Sequence, residues 1–232
     1  MSDSINERLA AVRARIDEEA ERVGRDPDEV SLVAVSKRQP LDLVRAAHAA
    51  GQRAFGENRV QDFVERAGDL DDLGLEWHFI GSVQSNKVRA LCEVPGLAML
   101  HSVDRPKLCD KIAQVRQEIG CDQPLSCLLQ VDATDDANKH GVRPEELDAL
   151  FDHAEGFREV LRVDGLMAMG PLVGESAPVF EAVRRLRDGL EQRSGRRLPH
   201  LSMGMSGDLS AAIGAGSTIV RVGTAVFGPR TT

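Results

Sequence analysis

Lys37 closes an apolar, β-branched run, Val33-Ala34-Val35-Ser36-Lys37. A buried strand reads this way, apolar and then abruptly polar. A lysine at the carboxyl end of such a strand stands where parallel α/β folds place their ligands. Partial desolvation there lowers an amine's pKa, and the neutral amine attacks a carbonyl carbon to form a Schiff base. The competing reading is a solvated lysine at a strand end. Arg221 is the second unusual residue, alternating with Val220 and Val222 in the last apolar run. If the valines face surrounding helices, the guanidinium points inward and needs a ligand or a partner. A buried ion pair, for instance with Glu57, meets the same need.

Two runs suggest phosphate chemistry. One is Ser202-Met203-Gly204-Met205-Ser206-Gly207-Asp208, and the other is Gly223-Thr224-Ala225-Val226-Phe227-Gly228. Glycine lets backbone N–H groups approach an anion closely, and the hydroxyls of Ser206 and Thr224 add donors. Ser206 and Asp208 also precede a short helical run, whose first N–H groups carry partial positive charge. Tight turns alone would account for the glycines too. Asn58, after Phe55-Gly56-Glu57, either donates to a ligand or caps the next helix. His78, between Trp77 and Phe79, reads as a hydrogen-bonded core histidine.

These residues need a scaffold, and the chain supplies an alternating one. Ser4 and Glu7 form a capping-box pattern ahead of Ile5, Leu9, Val12, Ile16 and Ala20, and Gly24 and Pro27 end that helix. Extended runs follow at 31–35, 54–56, 77–80, 97–101, 125–131, 160–169, 201–203 and 218–222. Helical runs separate them at 41–50, 60–67, 86–93, from Asp104 to Gly120, from Pro144 to Gly156, and at 179–192 and 209–213. Asp104 reads as a helix cap. About eight strands in regular alternation predict a single (β/α)8 TIM barrel, with residues 1–28 an extra N-terminal helix packed on it. No Pro-, Ser- or Gly-rich linker divides residues 1–232, so one domain is expected.

Composition excludes several classes. The chain has 232 residues, 42% hydrophobic and 28% charged, and a net charge of -8. That balance disfavours nucleic acid and anionic membrane surfaces, which bind excess Lys and Arg. A small phosphate ligand needs only a local positive site. The four cysteines, Cys92, Cys109, Cys121 and Cys127, form no Cys-x-x-Cys pair, which disfavours a zinc site and fits a reducing compartment. No secretory signal pattern and no bilayer-length apolar run are visible. A cytoplasmic monomer is expected, because the amphipathic helices show no additional apolar stripe.

Together, Ala34-Val35-Ser36-Lys37, Phe55-Gly56-Glu57-Asn58, Trp77-His78-Phe79-Ile80-Gly81 with Gln84-Ser85-Asn86-Lys87, Gly165-Leu166-Met167, Leu201 through Ser206 and Gly216 through Thr224 resemble the pyridoxal phosphate homeostasis protein family. That family is similar to the N-terminal barrel of alanine racemase. The resemblance implies pyridoxal 5'-phosphate (PLP, a vitamin B6 form) as cofactor, held as an internal aldimine on Lys37. It implies Ser206, Gly223 and Thr224 at the phosphate, Met203, Gly204 and Met205 along the wall, Arg221 near the pyridine nitrogen and Asn58 beside the ring. It implies a carrier or buffer of PLP, without assigned robust catalysis, whose partners would be PLP-dependent apoenzymes. Arg59, Ser82-Val83, the register of Asn138-Lys139 and the short Gly170-Pro171-Leu172 loop depart from the family pattern.

Two residue-level arguments bear on catalysis. The chain has no tyrosine. A racemase of the alanine racemase type needs an acid on the face opposite the lysine, and only His78, His200, a cysteine or Lys139 remain for that role. Arginine accepts no proton, so a ring nitrogen beside Arg221 stays neutral and the cofactor is a weak electron sink. The alternatives are a PLP-dependent amino-acid racemase and a PLP-free aldolase-type barrel acting on a phosphorylated sugar.

Overall fold

A computed structural model describes residues 4–134 and 140–229. Asn138 and Lys139 lie outside the described residues. The chain order is α1 (Ile5–Arg22), β1 (Ser31–Val35), α2 (Leu41–Ala49), β2 (Ala54–Glu57), α3 (Val60–Asp69), β3 (Glu76–Phe79), α4 (Val88–Cys92), β4 (Leu97–Val103), α5 (Pro106–Glu118), β5 (Leu125–Gln130), α6 (Leu147–Glu155), β6 (Leu161–Met167), α7 (Ala177–Ser194), β7 (His200–Ser202), α8 (Leu209–Gly214), β8 (Ile219–Val222) and α9 (Thr224–Phe227). Among the described residues, eight strands pair in parallel in sequence order and close into a barrel, with β8 returning to β1. This is the (β/α)8 architecture that the alternation predicts.

The added helix α1 starts at a reciprocal cap. Ser4 Oγ accepts from the Glu7 amide, and the Glu7 carboxylate accepts from the Ser4 amide. Ile5, Leu9, Val12, Ile16 and Ala20 form its buried stripe, which packs against α2, α8 and α9.

Strand alternation divides the core in two. Outward residues meet the helices. Phe55, Trp77 and Phe79 cluster there with Phe63 of α3, and the Phe63 and Trp77 centroids lie 5.4 Å apart edge to face. Inward residues Val33, Met99, Leu128, Met167 and Ile219 fill the barrel's middle. This plug supports the side chains above it at the carboxyl ends of the strands.

Three local expectations need correction. β4 runs to Val103 rather than stopping at His101, because the buried polar residues His101 and Ser102 continue the strand. Asp104 caps nothing; α5 begins after Arg105, with Pro106 in its first turn, and the Asp104 carboxylate pairs with Arg105 at 2.5 Å. The glycine run after β8 is interrupted by the short helix α9. Among the described residues, no helix is long and apolar enough to cross a membrane, and no group of His, Cys, Asp and Glu could hold a metal ion.

Candidate functional site

Lys37 sits two residues after β1, on a loop that a buried ionic network pins. Glu57, at the end of β2, is 1% exposed. Ser36 Oγ donates to Glu57 Oε1 at 2.7 Å, and Arg66 of α3 places its Nε 3.0 Å from the same oxygen. Arg66 also donates to the Gln39 carbonyl at 2.8 Å and the Ser36 carbonyl at 3.2 Å. One guanidinium thus clamps the backbone on both sides of Lys37. Burial pushes the Glu57 carboxyl up, while Ser36 and Arg66 oppose that shift. Arg38, next in the loop, adopts a left-handed φ of 59°, a conformation a non-glycine residue keeps only when its surroundings enforce it.

Arg221 is 5% exposed and points into the barrel. Its Nη1 donates to the Ser202 carbonyl at 2.6 Å and Ser202 Oγ at 2.5 Å, and its Nη2 donates to the Ala168 carbonyl at 3.0 Å. Glu57 is therefore not its partner; that carboxylate pairs with Arg66 of α3. Burial lowers the Arg221 pKa to about 10, with Asp208 pulling the other way. The guanidinium stays charged at neutral pH.

Both cations face one cavity of about 490 Å³ at the carboxyl ends of the strands. Lys37, Asn58, Ser206, Arg221, Gly223 and Thr224 all line it. That volume lies in the usual range for a small-molecule site. Among the described residues, no carboxylate lines it, so its fixed charge is positive and suits an anion. Asn58 does not cap α3, whose N-cap is Arg59 without a side-chain bond. The Asn58 backbone instead presses on Gly81, where an added Cβ would fall 2.0 Å from the Asn58 carbonyl oxygen. Glycine there lets the loop after β2 lie flat against the end of β3.

Met203 and Gly204 stand behind the cavity wall rather than in it. Ser202 faces inward, so Met203 must face the helices, and it is fully buried among them. Gly204 has φ +94° and abuts α8, where its added Cβ would meet Ala212 Cβ at 2.5 Å; its carbonyl accepts from the Arg221 amide at 3.0 Å. Met205 supplies the wall instead. Its amide donates to Asp208 Oδ1 at 2.6 Å, which shapes the turn carrying Ser206.

Sequence reasoning missed several lining residues: Gln39, Ile80, Ser82, Gln130, Met169 and His140. His140 matters most, because it brings an imidazole to the mouth. His78 and His200, weighed above as opposite-face acids, line a different cavity at the barrel's other end. None of the four cysteines lines the carboxyl-end cavity.

Comparison with known proteins agrees with this geometry. The family model for the alanine racemase N-terminal domain matches residues 8–231. A pyridoxal phosphate homeostasis protein of Pseudomonas aeruginosa is 47% identical over 98% of this chain and 96% of its own length. One of Escherichia coli (strain K12) is 41% identical over 98% and 97%. The solved structure of PipY from Synechococcus elongatus PCC7942 is 37% identical, covering 97% of this chain and 100% of its own. Its TM-score is 0.86 without PLP and 0.81 with PLP bound. Alanine racemase from Corynebacterium glutamicum shares the fold alone, at 17% identity and TM-score 0.67. On this barrel, this cavity and relatives matched along almost its whole length, the chain belongs to the pyridoxal phosphate homeostasis protein family.

Proposed function

We propose that this chain binds PLP through the Lys37 amine and serves intracellular PLP homeostasis, buffering the cofactor or delivering it to PLP-dependent apoenzymes. One observation carries the reading. Lys37 and Arg221 face a single cavity that also holds Ser206, Gly223 and Thr224, with no carboxylate among its described lining residues. The names of the relatives and the PLP-bound form of PipY support it. The whole chain acts as one barrel domain, cytoplasmic and monomeric.

When bound, PLP supplies an aldehyde that bonds reversibly to an amine, and a ring nitrogen that draws electrons once protonated. The protein's part is binding and orientation. The Glu57–Arg66 clamp fixes the loop that presents the Lys37 amine. Ser206 and Thr224 offer hydroxyls, and the backbone at Gly223 can approach closely, as a phosphate requires. Asn58 orients the ring from the side. Arg221 has three N–H bonds committed to protein oxygens, which leaves its remaining donors for the ligand. A guanidinium donates and never accepts, so it holds a ring nitrogen without supplying a carboxylate to protonate it. Storage suits such a site better than carbanion chemistry.

The test is direct. Purified protein is incubated with PLP, reduced with borohydride and digested. A phosphopyridoxyl mass on the Lys37 peptide, with no amino-acid racemisation at typical enzyme rates, is expected. An unmodified Lys37 peptide sinks the binding mode. Racemase turnover abolished by Lys37→Ala would establish the enzymatic alternative, for which His140 is the described imidazole at the mouth.

A further inference from the structure

A file of hydrogen bonds runs through the barrel from the candidate site to the opposite mouth. Arg221 Nη1 meets Ser202 Oγ at 2.5 Å. Ser202 Oγ meets His101 Nδ1 at 2.9 Å. His101 Nε2 meets His78 Nδ1 at 2.8 Å. Ser202 and His101 are fully buried, and His78 is 8% exposed. His78 lines a second cavity, about 470 Å³, at the amino-terminal ends of the strands, with Met99, His200 and Ile219. Core packing does not require four polar side chains in a row; apolar residues would fill these inward positions at lower desolvation cost.

Donor accounting gives the file a direction. Arginine only donates, so Ser202 Oγ accepts from Arg221. Its single hydroxyl hydrogen then goes to His101 Nδ1, the acceptor within reach. That fixes His101 with its proton on Nε2, which donates to His78 Nδ1 and leaves His78 protonated on its own Nε2. Every donor along the file points away from the candidate site. Burial supports the neutral forms: it lowers the His78 pKa to about 4, with His200 adding to the shift, and it lowers that of His101 well below 6.5.

We propose that Ser202, His101 and His78 are positioning residues that lock Arg221 as a fixed, donor-only group facing the cofactor's ring nitrogen, and that this locking needs both histidines neutral in the Nε2–H form. The proposal rests on the PLP-binding reading for its ligand, but its tautomer claim holds for the protein alone. The alignment of Arg221 depends on where Ser202 Oγ directs its hydrogen. If that hydrogen turned back toward Arg221, two donors would face each other across 2.5 Å.

Two measurements test this. Nitrogen-15 NMR of the unliganded protein reports the ring tautomers of His78 and His101 near neutral pH. Both are expected as neutral Nε2–H; a proton on His101 Nδ1 overturns the proposal without any variant. PLP titration of Ser202→Ala, followed by absorbance, reads the coupling. This variant keeps the backbone carbonyl that Arg221 also uses. Its PLP affinity is expected to fall about tenfold, the scale of one hydrogen bond to a charged group. The absorption maximum should shift while the borohydride adduct on Lys37 persists. Unchanged affinity and spectrum in a folded Ser202→Ala protein overturn the coupling. Failure of the wild-type protein to bind PLP at all would instead sink the proposed function, and the tautomer result would still stand on its own.

Discussion

Arg66 and Glu57 form a buried ion pair, with Nε 3.0 Å from Oε1, and the same guanidinium reaches the carbonyls of Ser36 and Gln39. The pair sits outside the cavity lining, yet it fixes the backbone from which Lys37 projects. Removing one member of a buried pair strands the other charge in low dielectric. Arg66→Ala should therefore destabilise the fold by about 3–5 kcal/mol. Urea denaturation measures this. Glu57→Gln keeps an acceptor for Ser36 and should cost less. Equal stability of Arg66→Ala and the parent would mean that the clamp is decorative.

Phosphate recognition makes a separable prediction. Ser206 and Thr224 line the cavity at the loops after β7 and β8, whereas Lys37 lies after β1. The double substitution Ser206→Ala with Thr224→Val removes two hydroxyl donors from the proposed phosphate end. Each is worth about 1.5–3 kcal/mol when bonded to a charged group. PLP affinity should drop by at least about a hundredfold. Binding of unphosphorylated pyridoxal, compared by the same titration, should barely change. An equal loss for both ligands would place the phosphate elsewhere.

The barrel and its cationic pair were legible because both use rules with little freedom. Lys37 ends an apolar run, and Arg221 interrupts one with period two. Parallel barrels put ligands at those strand ends. Alternation could also have sorted Met203 from Ser202, since two adjacent strand residues cannot both face inward. The polar file was hidden for a different reason. His78, His101 and Ser202 stand in three different strands, and nothing along the chain shows that closure of the barrel brings each within 3 Å of the next. In β4, the pair His101-Ser102 even read as the end of the strand. His140 and Gln130 reach the cavity through loop and barrel closure, which periodicity does not encode.

Gly204 offers a steric test. Its φ of +94° lies in the left-handed region, and an added Cβ would fall 2.5 Å from Ala212 Cβ. Gly204→Ala therefore forces both backbone strain and a shift of α8. A cost of about 1–3 kcal/mol is expected from the backbone alone. Because the Gly204 carbonyl accepts from the Arg221 amide, PLP affinity should fall with stability. Gly207→Ala is the control, since its added Cβ meets nothing within 4 Å. Equal melting temperatures for the two variants would contradict the packing described.

The buried histidines set a pH dependence whose sign follows from proton counting. His78 has its pKa lowered from 6.5 to about 4, chiefly by burial. Between those values the unfolded chain binds a proton that the folded protein does not. Stability therefore rises with pH across this window: the contribution is fully present above about pH 6.5 and is lost as pH falls through about 4. At about pH 5 His78 alone should remove roughly 2 kcal/mol relative to neutral pH. His101, shifted in the same direction, steepens the slope. Other groups titrate in this range too, so the informative quantity is a difference between proteins. Urea unfolding of the parent and of His78→Gln, each near pH 7.5 and near pH 5, isolates it. The substitution should lower stability near neutral pH, where it breaks the bond to His101, and should flatten the acid dependence. If His78→Gln loses as much stability on acidification as the parent, His78 takes up its proton in the folded state, and the neutral file through the barrel does not exist.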